Sequence, residues 1–275
     1  MLKSRLIATL IIKDGMVVQS YNFERYLPIG KPKFSVEFLS RWDIDEIIIL
    51  DIDASINQKE PDYKMIELIS QNTFIPLTVG GGINSPIVAK KVIDSGADKV
   101  TANTQVLKSP ELISDIAYSL GSQAIIVSID AKKNKNNEYE VFSFSKVKPI
   151  YKDVILWSKK CEELGAGEIF LNSVDNDGMR LGYDNELLFN VSSNLSVPLI
   201  ACGGVGSFAD FSEGAILGGA SAVAASNIFH HIEHSSIIAK ANLIQKHQNI
   251  RMEINPSYNE FWFDESGRPI NKNYL

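Results

Sequence analysis

Two glycine clusters mark places where the chain could bind phosphate. Gly80-Gly81-Gly82 and Gly203-Gly204 each end a short apolar run that is typical of a β-strand. Because glycine has no side chain, backbone N–H groups at such positions stay uncovered and an anion can approach them closely. Asn103-Thr104 and Ala225-Ser226 follow the next strands and add further donors. One cluster alone would be explained by a tight turn, whereas two equivalent clusters predict a ligand with a phosphate group at each end.

The two clusters belong to a repeat of about half the chain. Residues 75–82, which end in the first cluster, match residues 197–204, which end in the second. Alignment of the halves at nearly the same offset sets Ile11 opposite Asp130, so a carboxylate of the second half is absent from the first. A twofold repeat of this kind is typical of a barrel built from two half-barrels.

The elements that must position these residues are short apolar runs alternating with stretches of helical periodicity. Runs that are apolar on both sides, such as Ile47-Ile48-Ile49-Leu50, belong to parallel strands covered by helices. The predicted strands are residues 6–12, 46–52, 76–80, 99–103, 124–130, 168–172, 198–202 and 221–225. This pattern predicts an α/β fold of the (β/α)8, or TIM, barrel type. A doubly wound open sheet is the alternative, but it gives no reason for the twofold repeat.

Two segments fall outside the repeating units. Residues 135–148 alternate polar and apolar side chains and predict a small hairpin after the fifth strand. The barrel is expected to span residues 1–251, followed by a C-terminal extension of residues 252–275 that is rich in aromatic side chains. Either the extension packs on its own barrel, or it contacts a partner or a second copy.

Composition limits the partners and the location that can be expected. Of the 275 residues, 45% are hydrophobic and 22% are charged, which is ordinary for a globular protein. A formal net charge of -6 argues against binding nucleic acid or an anionic membrane through bulk charge. Two cysteines suit a reducing compartment, and the N-terminal apolar run is too short for a membrane span. We therefore expect a soluble, cytoplasmic protein.

Several segments together resemble one known family. They are Lys13-Asp14-Gly15, Leu50-Asp51-Ile52-Asp53-Ala54-Ser55, Val79-Gly80-Gly81-Gly82-Ile83, Gly121-Ser122-Gln123-Ala124, Ser128-Ile129-Asp130-Ala131-Lys132, Asp175-Asn176-Asp177-Gly178 and Gly182-Tyr183-Asp184. Over residues 1 to about 250, the chain resembles the cyclase subunit of imidazole glycerol phosphate synthase. The resemblance implies a (β/α)8 barrel paired with a glutaminase subunit, with no cofactor and no metal. Ammonia from the partner would cross the barrel and react with a bis-phosphorylated ribonucleotide, held at the glycine clusters and at Asp177 and Gly178.

The acid–base pair that the resemblance implies is incomplete in this sequence. The family has catalytic aspartates at the ends of strands one and five; the second is Asp130, but Ile11 stands at the position of the first. A hydrocarbon cannot exchange a proton, and general acid–base catalysis is worth about 10²–10⁴-fold per group. Asp14 lies beyond the strand end and is expected to point to the wrong side. Asn172 replaces a threonine of the family, and both changes argue against cyclisation by the usual route.

The residues that the resemblance assigns to ammonia entry are, in contrast, all present. In the family, a ring of charged side chains gates the N-terminal mouth of the barrel, and the equivalent residues here are Arg5, Glu46, Lys99 and Glu168. Asp98, which the family uses near the glutaminase, is also present. Judged by residue type alone, the same charges could equally form a buried ion-pair network that only stabilises the barrel.

The sequence has every gate residue but only one member of the acid–base pair. In this combination it resembles a paralogous branch of the family that is found with surface-sugar pathways. Residues 53–63 and 168–173 also look like that branch. There, the barrel and its glutaminase supply ammonia to a separate amidotransferase that builds an acetamidino group on a sugar. We expect that role for this chain. Two alternatives stay open: a working cyclase of histidine biosynthesis in which another group replaces Ile11, and a non-catalytic partner that only activates the glutaminase.

Other clusters are weaker candidates for chemistry. A metal site can be imagined at His230, His231, Glu233 and His234, although such spacing is more typical of a solvated helix face. Cys161 has no histidine nearby in the sequence, so a nucleophile is not expected there. Cys202 ends the seventh strand, where a small buried residue is the simpler interpretation.

Overall fold

The computed structural model describes residues 4–71, 73–144, 151–230, 235–246, 249–251, 261–263 and 269–271. The strands before the extension are β1 (Arg5–Lys13), β2 (Met16–Tyr21), β3 (Arg25–Gly30), β4 (Glu46–Asp51), β5 (Leu77–Gly80), β6 (Lys99–Ala102), β7 (Ile125–Lys133), β8 (Tyr139–Phe142), β9 (Glu168–Ser173), β10 (Leu199–Cys202) and β11 (Ala222–Ala225). Within the described ranges, eight of them (β1, β4, β5, β6, β7, β9, β10 and β11) pair in parallel, and β11 pairs with β1. The strands therefore close into the (β/α)8 barrel that the sequence predicts.

Most of the helices cover the outside of the barrel. The helices are α1 (Pro32–Ser40), α2 (Ile52–Ile56), α3 (Tyr63–Ser70), α4 (Pro86–Asp94), α5 (Thr104–Lys108), α6 (Glu111–Leu120), α7 (Val154–Glu163), α8 (Asn185–Ser192), α9 (Ala209–Ile216) and α10 (Ser235–Gln245). The short α2 and α5 lie at a cavity at the carboxyl ends of the strands. Helix α4 shows how local sequence sets a helix start, because the Ser85 hydroxyl accepts the N–H of Val88 and proline occupies the first turn. None of the helices in the described residues combines the length and the apolar character that a membrane crossing needs.

The core has two layers because side chains alternate between the two faces of each strand. The outer layer packs the strands against the helices. The inner layer fills the barrel with Ile7, Ile48, Ile126, Phe170, Ile200, Cys202, Ala222 and Ala224. Every inner residue comes from a barrel strand, so the interior is a packed core.

Two antiparallel additions extend the barrel, and one of them is absent from the sequence prediction. Strand β1 continues to Lys13, turns at Asp14 and Gly15, and pairs with β2, which pairs with β3. Both turn residues have positive φ, 50° and 71°, as a tight two-residue hairpin turn requires. The hairpin predicted within residues 135–148 forms differently: β8 pairs with the end of β7 itself, and residues 145–148 lie outside the described residues.

The C-terminal extension is described only in part. Strands β12 (Phe261–Phe263) and β13 (Pro269–Asn271) form an antiparallel pair, and the rest of residues 252–275 lies outside the described residues. Just before the extension, the carbonyl oxygen of Asn249 accepts the N–H of Ser4 at 2.8 Å. The domain boundary at residue 251 stays a prediction.

A buried lysine ties the last helix to the start of the barrel. Lys240 of α10 is 1% exposed, and its Nζ lies 2.8 Å from Asp45 Oδ1 and 3.5 Å from Asp43 Oδ2. The second oxygen of Asp45 accepts the N–H of Leu6 at 2.7 Å, at the beginning of β1. Burial raises the pKa of Asp45, although Lys240 and that backbone N–H oppose the rise. The ammonium group thus offsets the cost of burying the charges of Asp43 and Asp45.

We predict that Lys240→Met lowers the free energy of unfolding by about 3–5 kcal/mol, because it leaves buried carboxylates without their cation. Urea denaturation followed by circular dichroism measures the loss. Lys90→Met is the matched control, since Lys90 pairs with Asp94 in solvent, and it should cost less than about 1 kcal/mol. Equal losses in the two variants would contradict the stabilising role of the buried contact.

Candidate functional site

A cavity of about 620 Å³ opens at the carboxyl ends of the barrel strands. The predicted catalytic and ligand-binding residues all line it, together with the isoleucine at the vacant catalytic position: Ile11, Gly81, Gly82, Asn103, Thr104, Asp130, Asp177, Gly178, Gly203, Gly204, Ala225 and Ser226. The barrel therefore brings residues of both halves of the repeat to one cavity. What each of them does there stays a prediction.

Asp130 lies at the centre of a small hydrogen-bonded group. Its Oδ2 accepts Asn103 Nδ2 at 2.8 Å, and its Oδ1 faces Asn172 Nδ2 at 3.4 Å. Strands β7 and β9 set Asp130 and Asn172 side by side. Burial raises the pKa of Asp130 to about 7. The hydrogen bonds from the two amides favour the charged form and oppose this rise, but burial has the larger effect. A carboxyl group with such a pKa can both take and give a proton at neutral pH.

Ile11 presents hydrocarbon to the same cavity. Its side chain is 8% exposed, and its backbone lies between Val18 of β2 and Leu50 of β4. Asp14, three residues further on, does not replace the missing carboxylate. It sits in the turn after β1, its side chain is 85% exposed, and it is not among the residues that line the cavity.

Lys13 does line the cavity, but it is already paired. Its Nζ lies 3.1 Å from Asp53 Oδ1, and the other oxygen of Asp53 accepts the N–H of Asp14 at 2.6 Å. Burial alone would raise the pKa of Asp53, but the hydrogen bonds from Asp14 and Lys13 outweigh it and hold the pKa below its usual value. Lys13 is therefore held as a cation and is poorly suited to act as a base.

The glycines at the cavity have a steric role that coexists with any role in phosphate binding. Gly81 and Gly204 have φ of +107° and +106°, and a side chain on them would run into the carbonyl oxygens of Asp51 and Gly182, respectively. Close approach of the chain to itself thus already requires glycine at these positions. The same absence of a side chain leaves the backbone at these two positions open to the cavity, as an anion site needs.

The antiparallel pair β2–β3 brings residues to the cavity that the sequence interpretation missed. Ser20 of β2 donates its hydroxyl to Asp177 Oδ2 at 2.6 Å, and both residues are buried. Asn227 Nδ2 donates a hydrogen bond to the carbonyl oxygen of Ser20 at 2.8 Å. Gly178 packs against the same backbone, where a side chain would meet the Ser20 carbonyl oxygen. Burial raises the pKa of Asp177, although the Ser20 hydroxyl opposes the rise.

Tyr26 of β3 is a second missed residue. It lines the cavity, and its hydroxyl donates to the carbonyl oxygen of Phe23 at 3.0 Å. Burial raises its pKa to about 12, helped by the negative charges of Asp177, Asp130 and other carboxylates nearby. The signal for these residues was present in the sequence, because Asp14-Gly15 followed by an apolar run is typical of a hairpin.

The charged residues assigned to the gate contact one another at the opposite end of the barrel. Arg5 Nη1 lies 2.9 Å from Glu46 Oε2, and Arg5 also pairs with Glu168. Lys99 Nζ lies 2.7 Å from Glu168 Oε1 and 3.3 Å from Glu46 Oε1. Each cation thus contacts both carboxylates, and we call Arg5, Glu46, Lys99 and Glu168 the charged ring. Burial alone would raise the pKa of Glu168, but Arg5 and Lys99 hold it below its usual value.

Asp98 lies exposed at the same end of the barrel as the charged ring. Its Oδ2 accepts the N–H of Leu77 at 2.8 Å, which fixes the start of β5 beside β6.

The weaker candidates from the sequence, two cysteines and a histidine-rich segment, do not join either site. Cys161 is buried outside the barrel, where burial raises its thiol pKa, and burial raises the pKa of Cys202 to about 12. Of the imagined metal ligands, His231, Glu233 and His234 lie outside the described residues.

Comparison with known proteins places the barrel in a known family. The family described as "Histidine biosynthesis protein" matches residues 5–235, and the chain belongs to this family. It is 46% identical, over 98% of both chains, to a Vibrio vulnificus (strain YJ016) protein provisionally named imidazole glycerol phosphate synthase subunit hisF2. It is 43% and 41% identical to imidazole glycerol phosphate synthase subunit HisF of Chloroherpeton thalassium and of Pelodictyon phaeoclathratiforme. Each of these two alignments covers 92% of this chain and 100% of the relative.

We predict that Asp130 titrates near pH 7 in the folded protein. Because the unfolded chain loses this proton near pH 4, the folded state holds it more tightly. The contribution of Asp130 to the free energy of unfolding should therefore fall as the pH rises from about 4 to about 7, and then level off. Carboxyl ¹³C shifts of aspartate-labelled protein measure the pKa, with Asp130→Asn to assign the signal. A pKa below about 5 would contradict the argument from burial.

Proposed function

We propose that this chain is the barrel subunit of a glutamine-dependent complex in which it conducts ammonia instead of consuming it. A glutaminase subunit docks at the charged ring, ammonia passes along the barrel axis to the cavity, and a separate amidotransferase uses it to build an acetamidino group on a surface sugar. The observation that carries this proposal is the buried hydrocarbon of Ile11 at the position where the resemblance implies a catalytic aspartate.

The missing carboxylate matters because proton transfer needs a group on each side of the reacting atoms. Asp130 retains a suitable pKa, but Ile11 cannot exchange a proton, Asp14 is exposed outside the cavity lining, and Lys13 is paired with Asp53. General acid–base catalysis is worth about 10²–10⁴-fold per group, so loss of one member reduces cyclisation to a small fraction. The cavity still keeps the glycine sites, which fits binding of a bis-phosphorylated ligand without its rapid conversion.

The packed interior of the barrel is apolar, which suits transient passage of ammonia. Between the charged ring and the cavity lies the apolar inner layer, which includes the small side chains of Ala222 and Ala224. Ammonia is small and neutral, so an apolar passage favours it over ammonium ion, whose charge is costly to bury. The alternating signs of the charged ring close the entrance at rest, and a shift of one side chain suffices to admit a neutral molecule.

The N-terminal end of the barrel also carries side chains suited to a protein partner. Phe74, on the connection from α3 to β5, and Tyr118, near the end of α6, are each 96% exposed. Phe74 precedes β5 and Tyr118 lies in the last turn of α6, just before β7, so both lie near the starts of strands, at the end that carries the charged ring. Large exposed apolar side chains near charged ones are typical of protein–protein interfaces. A glutaminase seated there would release ammonia at the entrance.

A working cyclase of histidine biosynthesis, forming imidazole glycerol phosphate and AICAR, is the second candidate. The names of the relatives that are 41–43% identical favour it, and so do Asp130 and Asp177 in the cavity. It would need another group to replace Ile11. Tyr26 lines the cavity and has a hydroxyl that can exchange a proton, but its pKa of about 12 makes it a poor base at neutral pH. A barrel that only activates the glutaminase would need neither the cavity nor the passage.

We predict that Ile11→Asp raises ammonia-dependent cyclase activity at least about 100-fold above a near-background parent, because it restores the absent acid–base group. Consumption of the bis-phosphorylated ribonucleotide measures this. Ile11→Asn is the matched control, since asparagine has the shape of aspartate but does not exchange protons. A parent that already turns over rapidly, or that rescues a cyclase-deficient strain, would show that the chain is a cyclase.

We predict that Lys99→Ala uncouples glutamine hydrolysis from amination. The partner should still hydrolyse glutamine, but less aminated product should form with glutamine as nitrogen source, because the entrance no longer closes around ammonia. Added ammonium salt should restore the yield, since it bypasses the entrance. Lys90→Ala, which removes a lysine from the exposed pair with Asp94, should behave like the parent. Equal loss of hydrolysis and amination in Lys99→Ala would indicate a purely structural ring.

A further inference from the structure

A set of polar side chains lies between the packed interior of the barrel and the open cavity. They are Thr9 of β1, Thr101 of β6, Ser128 of β7 and Asn172 of β9, and we call them the polar floor. All four line the cavity, yet each is at most 7% exposed. Thr9, Ser128 and Asn172 each follow a residue of the inner layer by two positions, so they share its side of the strand. The polar floor therefore lies on the cavity side of the inner layer.

Three buried oxygen atoms of the polar floor lack a donor anywhere in the described ranges. They are Thr9 Oγ1, Thr101 Oγ1 and Asn172 Oδ1. The hydroxyl of Thr9 faces the sulfur of Cys202, which is only a weak hydrogen-bonding group. Buried polar groups in folded proteins nearly always have a partner, because leaving one unpaired costs free energy. The polar floor is thus suited to a small molecule that donates hydrogen bonds.

Neighbouring residues hold these oxygen atoms in place. Asn172 Nδ2 faces Asp130 Oδ1 at 3.4 Å, which turns Oδ1 of the same amide toward Gly203. A Cβ atom on Gly203 would lie 2.5 Å from this oxygen, so glycine leaves it room. The methyl group of Thr101 packs against Gly80, where a Cβ atom would collide with it. The arrangement of acceptors is therefore set before a ligand binds.

Ammonia matches this arrangement in both hydrogen bonding and charge. It brings three N–H donors for the three oxygen atoms, and a threonine hydroxyl can donate to its lone pair. Water brings two donors and leaves one of the oxygen atoms unpaired. An ammonium ion would place its charge directly against the apolar inner layer, which is costly. Burial also favours the neutral form of the nearby Asp130, whose pKa is about 7, so this carboxyl group does little to attract a cation in mildly acidic solution.

We propose that Thr9, Thr101 and Asn172 form a binding site for neutral ammonia, in which a molecule that has crossed the barrel is held until the separate amidotransferase uses it. The proposal rests on the function proposed above, because it names where conducted ammonia stops. Such a site has a use in a chain that passes ammonia on, since release by one enzyme and consumption by another are not simultaneous. Asn172 and the two threonines delay its loss to solvent.

NMR titration of the full chain with ammonium chloride tests the site without either partner. The γ-methyl groups of threonine are labelled with ¹³C, and Thr9→Val and Thr101→Val assign the two signals. Both signals should shift and saturate. Between two pH values above the pKa of Asp130, the midpoint in total ammonium should fall by the factor by which free ammonia rises. Potassium chloride at the same concentrations should leave both signals unchanged.

Thr101→Val separates a ligand site from a structural contact, because it replaces the hydroxyl by a methyl group of similar size. Without ammonium, the variant should melt at or above the temperature of the parent, since it removes an unpaired buried group. The midpoint of the Thr9 signal should rise about three- to tenfold, as loss of one hydrogen bond implies. Thr9→Val, observed through Thr101, should behave alike and serves if Thr101→Val folds poorly.

Thr73→Val is the matched control. The hydroxyl of Thr73 donates to the carbonyl oxygen of Ile69 at 2.8 Å, outside the barrel. This variant should melt at a lower temperature than the parent, because it loses a formed hydrogen bond, and it should keep the parent's midpoint for ammonium.

The outcomes distinguish this proposal from the proposed function. If neither salt shifts the threonine signals, the polar floor does not bind ammonia and the proposal is wrong, while conduction is still decided by the Lys99→Ala experiment. If potassium and ammonium act alike, the oxygen atoms bind a cation, and the proposal is again overturned. If ammonia binds as expected but Lys99→Ala lowers hydrolysis and amination equally, the binding site stands and the conduit fails.

Discussion

The two-residue period of β1 is the constraint on which both ends of the molecule depend. Arg5, Ile7, Ile11 and Lys13 share one face of this strand because successive side chains alternate. That face places Arg5 in the charged ring, Ile7 in the inner layer, and Ile11 and Lys13 at the cavity. A slip of one residue would exchange this face for the one that packs on the helices. Closure between β1 and β11 fixes the register, and so the composition of both ends.

The two halves of the repeat keep a common plan but differ in chemistry. In each half the first barrel strand is nine residues long and continues into an antiparallel partner, β2 after β1 and β8 after β7. In the second half, the long strand carries Asp130 with its two amide donors. In the first half, the equivalent position carries Ile11. The cavity therefore carries a carboxylate at one of the two equivalent positions and a hydrocarbon at the other.

The sequence was most informative where burial acts on both faces of a strand. Continuous apolar runs predicted every barrel strand to within a few residues. Parallel strands inside a shell of helices are buried on both faces, so few of their side chains can be polar. The β2–β3 pair was missed because Asp14-Gly15 was interpreted only as part of a family motif, when it is also a turn. Contacts such as Lys240 with Asp45, or Ser20 with Asp177, join residues 195 and 157 positions apart. No local pattern encodes such pairs, because closure of the barrel creates them.

The hydrogen bond between Ser20 and Asp177 changes what the cavity can gain from a ligand. Asp177 is buried and already accepts a hydroxyl at 2.6 Å, which occupies one of the acceptor sites of its carboxyl group. An ionised carboxylate has about four such sites, so a ligand can donate to Asp177 beside the Ser20 hydroxyl. Asn227 holds the backbone of Ser20, so the position of this hydroxyl is fixed by the hairpin that carries it. The hairpin thereby orients the Asp177 carboxyl group before a ligand arrives, and less conformational freedom is lost on binding.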